Sequence, residues 1–177
     1  YLYPDNIPKE LPAIINENEK ILPYLDIPFQ HVSENVLRAM GRPWKGNRIR
    51  KLVDKLRKEI PGLVLRTTLM VGYPTEGDSE FQELVDFVRS YEIDRVGVFT
   101  YSHEENTLAS VLGDPVPCEV KQLRAETIRE IHTKMTQKRN RKRIGSTEKC
   151  LVEGISSETE LLLQGRLWDQ APEIDGV

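Results

Sequence analysis

Cysteine is scarce in this sequence, which has only Cys118 and Cys150 among its 177 residues. They are separated by a spacing that matches no compact zinc or iron–sulfur motif. Thiols of cytoplasmic proteins stay reduced, and most of them have only a structural role. We therefore expect a cytoplasmic protein in which neither cysteine binds a metal, and the sequence offers no other metal motif.

Long apolar runs and a large excess of one charge are also missing. No run approaches the roughly 18 residues that a bilayer span needs, and no secretory leader is present, so we expect neither membrane insertion nor secretion. The formal net charge of −3 favours neither nucleic acid nor a membrane surface. The chain starts with Tyr1 rather than Met, inside an apolar segment, so we expect it to be a piece of a longer protein.

What is present is an alternation of strand-like apolar runs and amphipathic helical patterns. The strands follow one another at intervals typical of parallel α/β folds. The predicted strands are 1–4, 21–30, 63–71 and 93–101, and the predicted helices between them are 7–18, 33–40, 49–60 and 81–88. Four parallel strands amount to about half of a barrel, which would leave two open edges.

A long helix is predicted after Pro117, and Gly145 ends it. Its apolar side is expected to hold Leu123, Ile128, Ile131 and Met135. Between Lys134 and Arg143 the chain has six basic residues and no acid. Cations suit the C-terminus of a helix because of the macrodipole. An RNA contact is the alternative explanation for this basic helix end.

The tail that follows Gly145 has a different character. Short β-like runs replace the helical pattern, and seven acids stand against two bases from Ser146 onward. The tail holds too few strands to close a small barrel. We therefore predict two units, 1–144 and 145–177, of which the second is incomplete.

Polar residues terminate the second and third predicted strands. Gln30 and His31 follow the second strand, where His31 is either a ligand-binding or acid–base group or a polar loop residue. Arg66 and Thr68 share one face of the third strand, because they are two residues apart. If that face is the barrel interior, Arg66 must meet an anion; the alternative is a surface ion pair.

The next strand exits are also rich in functional residue types. Gly72 would allow close approach of the backbone to a ligand, and Glu76 is expected to face the same rim. The fourth strand ends in Tyr101 and then Ser-His-Glu-Glu at 102–105. This exit suggests a metal or an acid–base pair, but adjacent side chains diverge, which favours a solvated loop.

Several of these segments together resemble one enzyme family. They are Tyr-Leu-Tyr-Pro at 1–4, Leu-Asp-Ile-Pro-Phe-Gln-His at 25–31, Val-Leu-Arg-Ala-Met-Gly-Arg at 36–42, Leu-Arg-Thr-Thr-Leu-Met-Val-Gly-Tyr-Pro at 65–74 and Phe-Thr-Tyr-Ser-His-Glu-Glu-Asn-Thr-Leu-Ala at 99–109. In order and spacing they resemble the radical S-adenosylmethionine (SAM) methylthiotransferases, and they cover essentially the whole chain. His103 and Asn106 stand where that family more usually has Pro and Gly.

The resemblance implies a fold and a chemistry. It implies an α/β fold in which 1–144 is the later half of a TIM-like radical SAM barrel and 145–177 is the start of a small β-barrel, the TRAM domain. It also implies SAM, two [4Fe–4S] clusters and an electron donor. The family's three-cysteine signature is missing here, so the cluster ligands are expected upstream. No catalytic residue is assigned to this chain, and we expect these 177 residues alone to be inactive.

The resemblance also implies a substrate and a set of SAM-binding residues. The ending at 170–177 is similar to the branch that modifies an aspartate of the twelfth small-subunit ribosomal protein, a post-translational modification. An acidic tail suits a basic ribosomal protein. Alternatives are a tRNA methylthiotransferase that acts on isopentenyladenosine, with RNA contacts at the basic helix end and TRAM, and a non-catalytic module that binds ribosomal protein or RNA. The residues expected to contact SAM or line its site are Gln30, His31, Arg66, Thr68, Val71, Gly72, Phe99 and Tyr101.

Overall fold

A computed structural model describes residues 2–42, 46–172 and 174–175. Three parallel strands form one sheet in the order β1 (Tyr24–Asp26), β2 (Val64–Val71) and β3 (Arg95–Thr100). The helices are α1 (Leu11–Glu17), α2 (Glu34–Ala39), α3 (Gly46–Glu59), α4 (Asp78–Tyr91) and α5 (Cys118–Arg143), with 3₁₀ turns at Pro4–Asn6 and Leu108–Leu112. None of the helices in this described part has the length and apolar character that a bilayer crossing requires.

The prediction of four strands is wrong for the described residues, which contain three in this sheet. Tyr1, the first residue of the predicted strand 1–4, lies outside them. Leu2 donates one backbone hydrogen bond to Asp26 O (2.9 Å), but Pro4 begins a 3₁₀ turn and ends the extended segment. The other predicted strands are confirmed, although β1 is shorter than expected because prolines flank it.

Alternation along β2 gives the sheet two different faces. Leu65, Leu69 and Val71 are buried against the helices, together with Ile60, Leu84 and Val88. Arg66, Thr68 and Met70 point the other way, onto what we call the open face. In parallel register they lie beside Arg95, Gly97 and Phe99 of β3. Phe99 is 59% exposed, so no helix of the described chain covers this face.

A bulge follows β1 and shapes its carboxyl end. Asp26 pairs with Arg66 and Gln30 pairs with Leu69, so one strand gains a residue relative to the other. The hydroxyl of Thr67 fills the gap, since it donates to Ile27 O (2.8 Å) and accepts from Phe29 N (3.2 Å). Gln30 leaves the bulge with φ at +69°, in the left-handed region.

Helix α5 packs against the sheet and confirms the long helix predicted between Pro117 and Gly145. The face assignment is wrong at one end, because Leu123 is 64% exposed. Leu123 lies five residues from Ile128, which is well off the same side of a helix. The buried face is instead Lys121, Arg124, Ala125 and Ile128, which includes two cations.

The tail forms an antiparallel hairpin, β4 (Cys150–Ile155) with β5 (Leu163–Leu167). Every residue of β4 is exposed, so the hairpin has no core of its own. Arg143, at the end of α5, joins the hairpin to the helix through Asp169 (2.7 Å). The domain boundary at residue 145 stays a prediction.

Candidate active site at the carboxyl ends of the strands

A cleft of about 540 Å³ opens where the three parallel strands end. Its walls come from the exits of β1, β2 and β3 and from the end of α2. Among its lining residues are Gln30, Met40, Arg42, Met70, Tyr73 and Tyr101. Ligands of parallel α/β folds bind at the carboxyl ends of strands, so this is the candidate active site.

Two tyrosines form the centre of the cleft wall. Tyr73 and Tyr101 pack edge to face with ring centroids 5.2 Å apart. Tyr73 donates its hydroxyl to Ala39 O at 3.0 Å. Burial, and then the neighbouring Tyr101, raise the pKa of Tyr73, so its hydroxyl stays protonated. Tyr101 Oη is buried without a hydrogen-bond partner among the described residues, which leaves a donor for a ligand.

His31 lies behind this cleft rather than on its wall. The side chain is fully buried, and its Nδ1 accepts a hydrogen bond from Ser33 N at 3.0 Å. The proton is therefore on Nε2, which faces Glu76 Oε2 at 3.2 Å. Glu76 is also fully buried, so the expectation that it faces the rim is wrong.

Glu76 is the hub of a buried network that joins the strand exits to α5. Its Oε1 accepts hydrogen bonds from Gly72 N (3.0 Å) and from Arg124 Nη1 (2.8 Å). Arg124 also donates to Glu76 O (3.0 Å) and to Asp78 Oδ1 (2.8 Å). Such charge-assisted hydrogen bonds stabilise a carboxylate that is buried this deeply. The network fixes the loop that carries Tyr73 into the cleft.

The space beside Gly72, where a side chain would lie, is filled by Lys121 of α5. The φ of Gly72 is +74°, and an added Cβ would lie 2.3 Å from Lys121 Cγ. Lys121 runs past this glycine and places Nζ 3.1 Å from Tyr101 O and 2.5 Å from Asp114 Oδ1. Val71 is fully buried, and its carbonyl accepts a hydrogen bond from Tyr101 N (2.8 Å). Val71 and Gly72 therefore lie behind the wall of the cleft and support it.

The predicted site residues fall into three groups. Gln30 and Tyr101 line the cleft. Arg66, Thr68 and Phe99 share the open face, where an added Cβ on Gly97 would lie 3.6–3.8 Å from all three. His31, Val71 and Gly72 lie behind the wall of the cleft and support it. Arg66 does meet an anion, but it is Asp26 (2.7 Å), near the amino-terminal end of the sheet.

Three important residues were absent from the sequence prediction: Tyr73, Lys121 and Arg124. The signal for Tyr73 was its place directly after Gly72 at a strand exit. Lys121 and Arg124 are one helical turn apart and next to the apolar Ala125 and Ile128. A pair of long cations on the apolar side of a helix indicates a buried ionic partner.

The exit of β3 remains a solvated loop. His103, Glu104 and Glu105 are exposed, and Ser102 donates a hydrogen bond to Glu104 (3.2 Å). Across the described residues no three acidic, histidine or cysteine side chains gather closely enough to hold a metal ion. Cys118 and Cys150 are both free and exposed.

Comparison with known proteins gives one family. The model of the radical SAM superfamily matches residues 3–88. The chain is 49% identical over 99% of its length to the ribosomal protein uS12 methylthiotransferase RimO of Pelobacter propionicus, and covers 39% of that protein. It is 44% identical over its whole length to the RimO of Aquifex aeolicus, and covers 41% of it. The chain thus spans about two fifths of the length of the curated relatives it matches.

A solved structure gives the same fold. The coproporphyrinogen III oxidase HemN of Escherichia coli, a radical SAM enzyme, superposes with a TM-score of 0.58. The match covers 77% of this chain and 31% of HemN, at 20% sequence identity. The three parallel strands and their helices are therefore part of a radical SAM fold.

Proposed function

Because the chain belongs to the radical SAM superfamily, and within it to the methylthiotransferases, we propose that it forms part of an enzyme that transfers a methylthio group to the β-carbon of an aspartate in ribosomal protein uS12. We propose that an enzyme with this substrate acts in the cytoplasm. The observation that carries the proposal is the cleft at the strand ends, with its unpartnered Tyr101 hydroxyl.

The cleft residues fit S-adenosylmethionine. A volume of about 540 Å³ lies within the range of small-molecule sites. Met40, Met70 and the Tyr73 ring give an apolar wall for the adenosine, and Gln30 and Tyr101 give polar groups for its edge. Arg42 gives a cation for the methionyl carboxylate. When bound, this cofactor supplies the radical and the methyl group that the family's chemistry requires.

The residues of this chain do not fit an iron–sulfur cluster. Cluster ligation uses several cysteine thiolates, and the two exposed thiols here lie at the start of α5 and in β4, outside the cleft. We infer that the cluster ligands lie elsewhere in the protein, as the sequence resemblance implies. The role of this chain is then to bind and orient the cofactor and to shield the reacting centre from water.

The tail supports a second part of the proposal, that β4 and β5 begin a TRAM domain. The hairpin exposes Leu151, Val152, Ile155 and Leu163, as an incomplete barrel would. In the basic helix end, Arg139 and Arg143 are held by Asp94 and Asp169. Lys138, Arg141 and Lys142 are exposed and remain suited to an RNA contact.

Binding of SAM to the full-length protein tests the cleft directly. Tyr101→Phe removes only the hydroxyl, so we expect affinity to fall roughly three- to tenfold, the value of one hydrogen bond. Tyr91→Phe is the matched control, because Tyr91 packs on Phe87 at the far end of α4. Isothermal titration calorimetry measures both, and an unchanged affinity for Tyr101→Phe would contradict the assignment.

The substrate is tested with the reconstituted full-length enzyme. We expect mass spectrometry to find the methylthio group on uS12 and none on tRNA. A product on tRNA alone would favour the tRNA-modifying alternative. Binding of uS12 with neither a methylthio product nor any cleavage of SAM would favour the non-catalytic module.

A further inference from the structure

The amino-terminal end of the open face holds a cluster of charged side chains that the cleft does not use. Arg66 and Arg95 are paired neighbours on β2 and β3, and Tyr24 lies on the adjacent strand β1. The carboxylate of Asp175 sits among them. Tyr24 Oη lies 2.5 Å from Asp175 Oδ2, and the Nε atoms of Arg66 and Arg95 lie 3.6 and 3.8 Å from its two oxygens.

The side chains of the sheet carry an excess of positive charge beside Arg66 and Arg95, which favours binding of an anion there. Two guanidinium groups, Arg66 and Arg95, face only one carboxylate on the strands, that of Asp26. The tail contributes Asp169, but this residue lies closer to Arg143 (2.7 Å) than to Arg95 (3.6 Å). A positive charge left with little access to water is costly. The side chain of Asp175, only 4% exposed, supplies the missing negative charge.

The carboxylate of Asp175 is fixed by hydrogen bonds from both the sheet and its own turn. Its Oδ2 accepts a hydrogen bond from Ala171 N (2.8 Å), so the carboxylate closes its own turn while it meets the sheet. Burial raises the pKa of Tyr24, and the hydrogen bond to Asp175 raises it further, so the phenol stays protonated and donates. Burial lowers the pKa of Arg66, but Asp26, and then Tyr24 and Asp175, together raise it by more.

This cluster is remote from the candidate active site. Tyr24 and Arg95 are the first residues of their strands. From Arg66 to Val71, at the carboxyl end of β2, the strand runs roughly 16 Å at about 3.3 Å per residue. The cluster therefore belongs to the opposite end of the sheet and has its own ligand.

We propose that Tyr24, Arg66 and Arg95 form a carboxylate-binding site, that the chain fills it with Asp175, and that this contact docks the tail onto the sheet. Small carboxylates such as acetate belong to the same chemical class and would enter the site when Asp175 is removed. The proposal does not depend on the proposed enzymatic function, because it concerns the opposite end of the sheet.

Hydrogen exchange of the full-length protein tests the docking. Asp175→Ala vacates the site, and we expect exchange across β4 and β5 to accelerate by at least about tenfold, as the loss of a charged hydrogen bond implies. Acetate at tens of millimolar should restore part of the protection, whereas chloride at equal ionic strength and pH should not. Wild-type protection in Asp175→Ala, or equal effects of acetate and chloride, would overturn the proposal.

Matched variants locate the effect. Glu160→Ala removes an exposed acid from the same tail and should leave exchange unchanged. Adding Arg95→Met to Asp175→Ala should abolish the response to acetate, and a persisting response would place the anion elsewhere. If Asp175→Ala does not fold, Asp175→Glu should keep the hairpin protected and Asp175→Asn should not. Equal protection in these two variants would also refute the site.

Discussion

The two ends of the parallel sheet both carry ionic networks, but the networks differ in their access to water. At the carboxyl end, His31 and Glu76 are fully buried, and Arg124 is 7% exposed. At the amino end, Arg57, Asp94 and Arg139 keep 20–33% of their side chains exposed. The same kinds of ion pair therefore lie in different dielectric surroundings.

This difference in access to water determines how much each ion pair contributes to stability. A buried charge that loses its partner has no water to replace it, so breaking such a pair is strongly destabilising. When a partly exposed pair is lost, water hydrates the remaining group, so the loss costs less. We therefore expect substitutions in the Glu76 network at the carboxyl end to destabilise the whole sheet, and those in the network of Arg57, Asp94 and Arg139 at the amino end to have small or local effects.

Arg124→Met should give the largest effect. Methionine keeps the apolar contact with Phe81 but leaves Glu76 without its cation, so the free energy of unfolding should fall by about 3–5 kcal/mol. Urea denaturation measures the loss. Arg141→Met, at an exposed position of the same helix, is the control and should change little. Similar losses in the two variants would show that burial of the pair with Glu76 does not determine the cost of removing a cation from this helix.

Gly72→Ala should come next, with a loss of about 2–4 kcal/mol. The left-handed φ accounts for roughly 1–2 kcal/mol of this, and the clash with Lys121 accounts for the rest. Gly62→Ala isolates the first part, because Gly62 has φ at +72° and open space around its missing Cβ. Thermal unfolding compares the two variants. Equal losses would show that Lys121 yields without cost.

His132 provides the smallest test, at the amino end. Its Nε2–H donates to Asp94 O at 3.0 Å. Burial lowers the pKa of His132, the hydrogen bond to Asp94 opposes the shift, and Arg139 and Arg95 add to it. The folded imidazole therefore takes up a proton at lower pH than the unfolded one.

The pH dependence of stability follows because the pKa of His132 is lower in the folded state than in the unfolded state. The unfolded state binds more protons, so the stability contributed by neutral His132 is complete above about pH 6.5 and declines as the pH falls toward the folded pKa. We expect His132→Gln to flatten the stability profile below pH 6.5. Urea midpoints at a series of pH values check this. An unchanged slope would assign the acid sensitivity to carboxylates.

Much of the fold was predictable because it depends on local pattern. The period of two along β2 and the limits set by Pro117 and Gly145 for α5 are properties of adjacent residues. The exposed position of Leu123 and the burial of Lys121 were not, since a buried cation requires a partner from elsewhere. Asp114 and the carbonyl of Tyr101 provide that partner only once the chain has folded.

The candidate site was predictable at the level of strand exits and not at the level of side-chain roles. Gln30 and Tyr101 line the cleft, as residues at the ends of parallel strands should. Nothing in the sequence near Glu76 indicates that it bonds Arg124, which lies 48 residues away. The pairing of Arg66 with Asp175 spans an even longer separation. Such contacts are tertiary, so pattern alone does not find them.

The Thr67 hydroxyl in the bulge after β1 also limits how this sequence can drift over generations. It satisfies two buried backbone groups at once, Ile27 O and Phe29 N. Valine has nearly the same shape, yet it would leave both groups without a partner. Serine would keep both bonds and lose only a methyl group. Selection at this position therefore acts on an oxygen atom rather than on size or hydrophobicity.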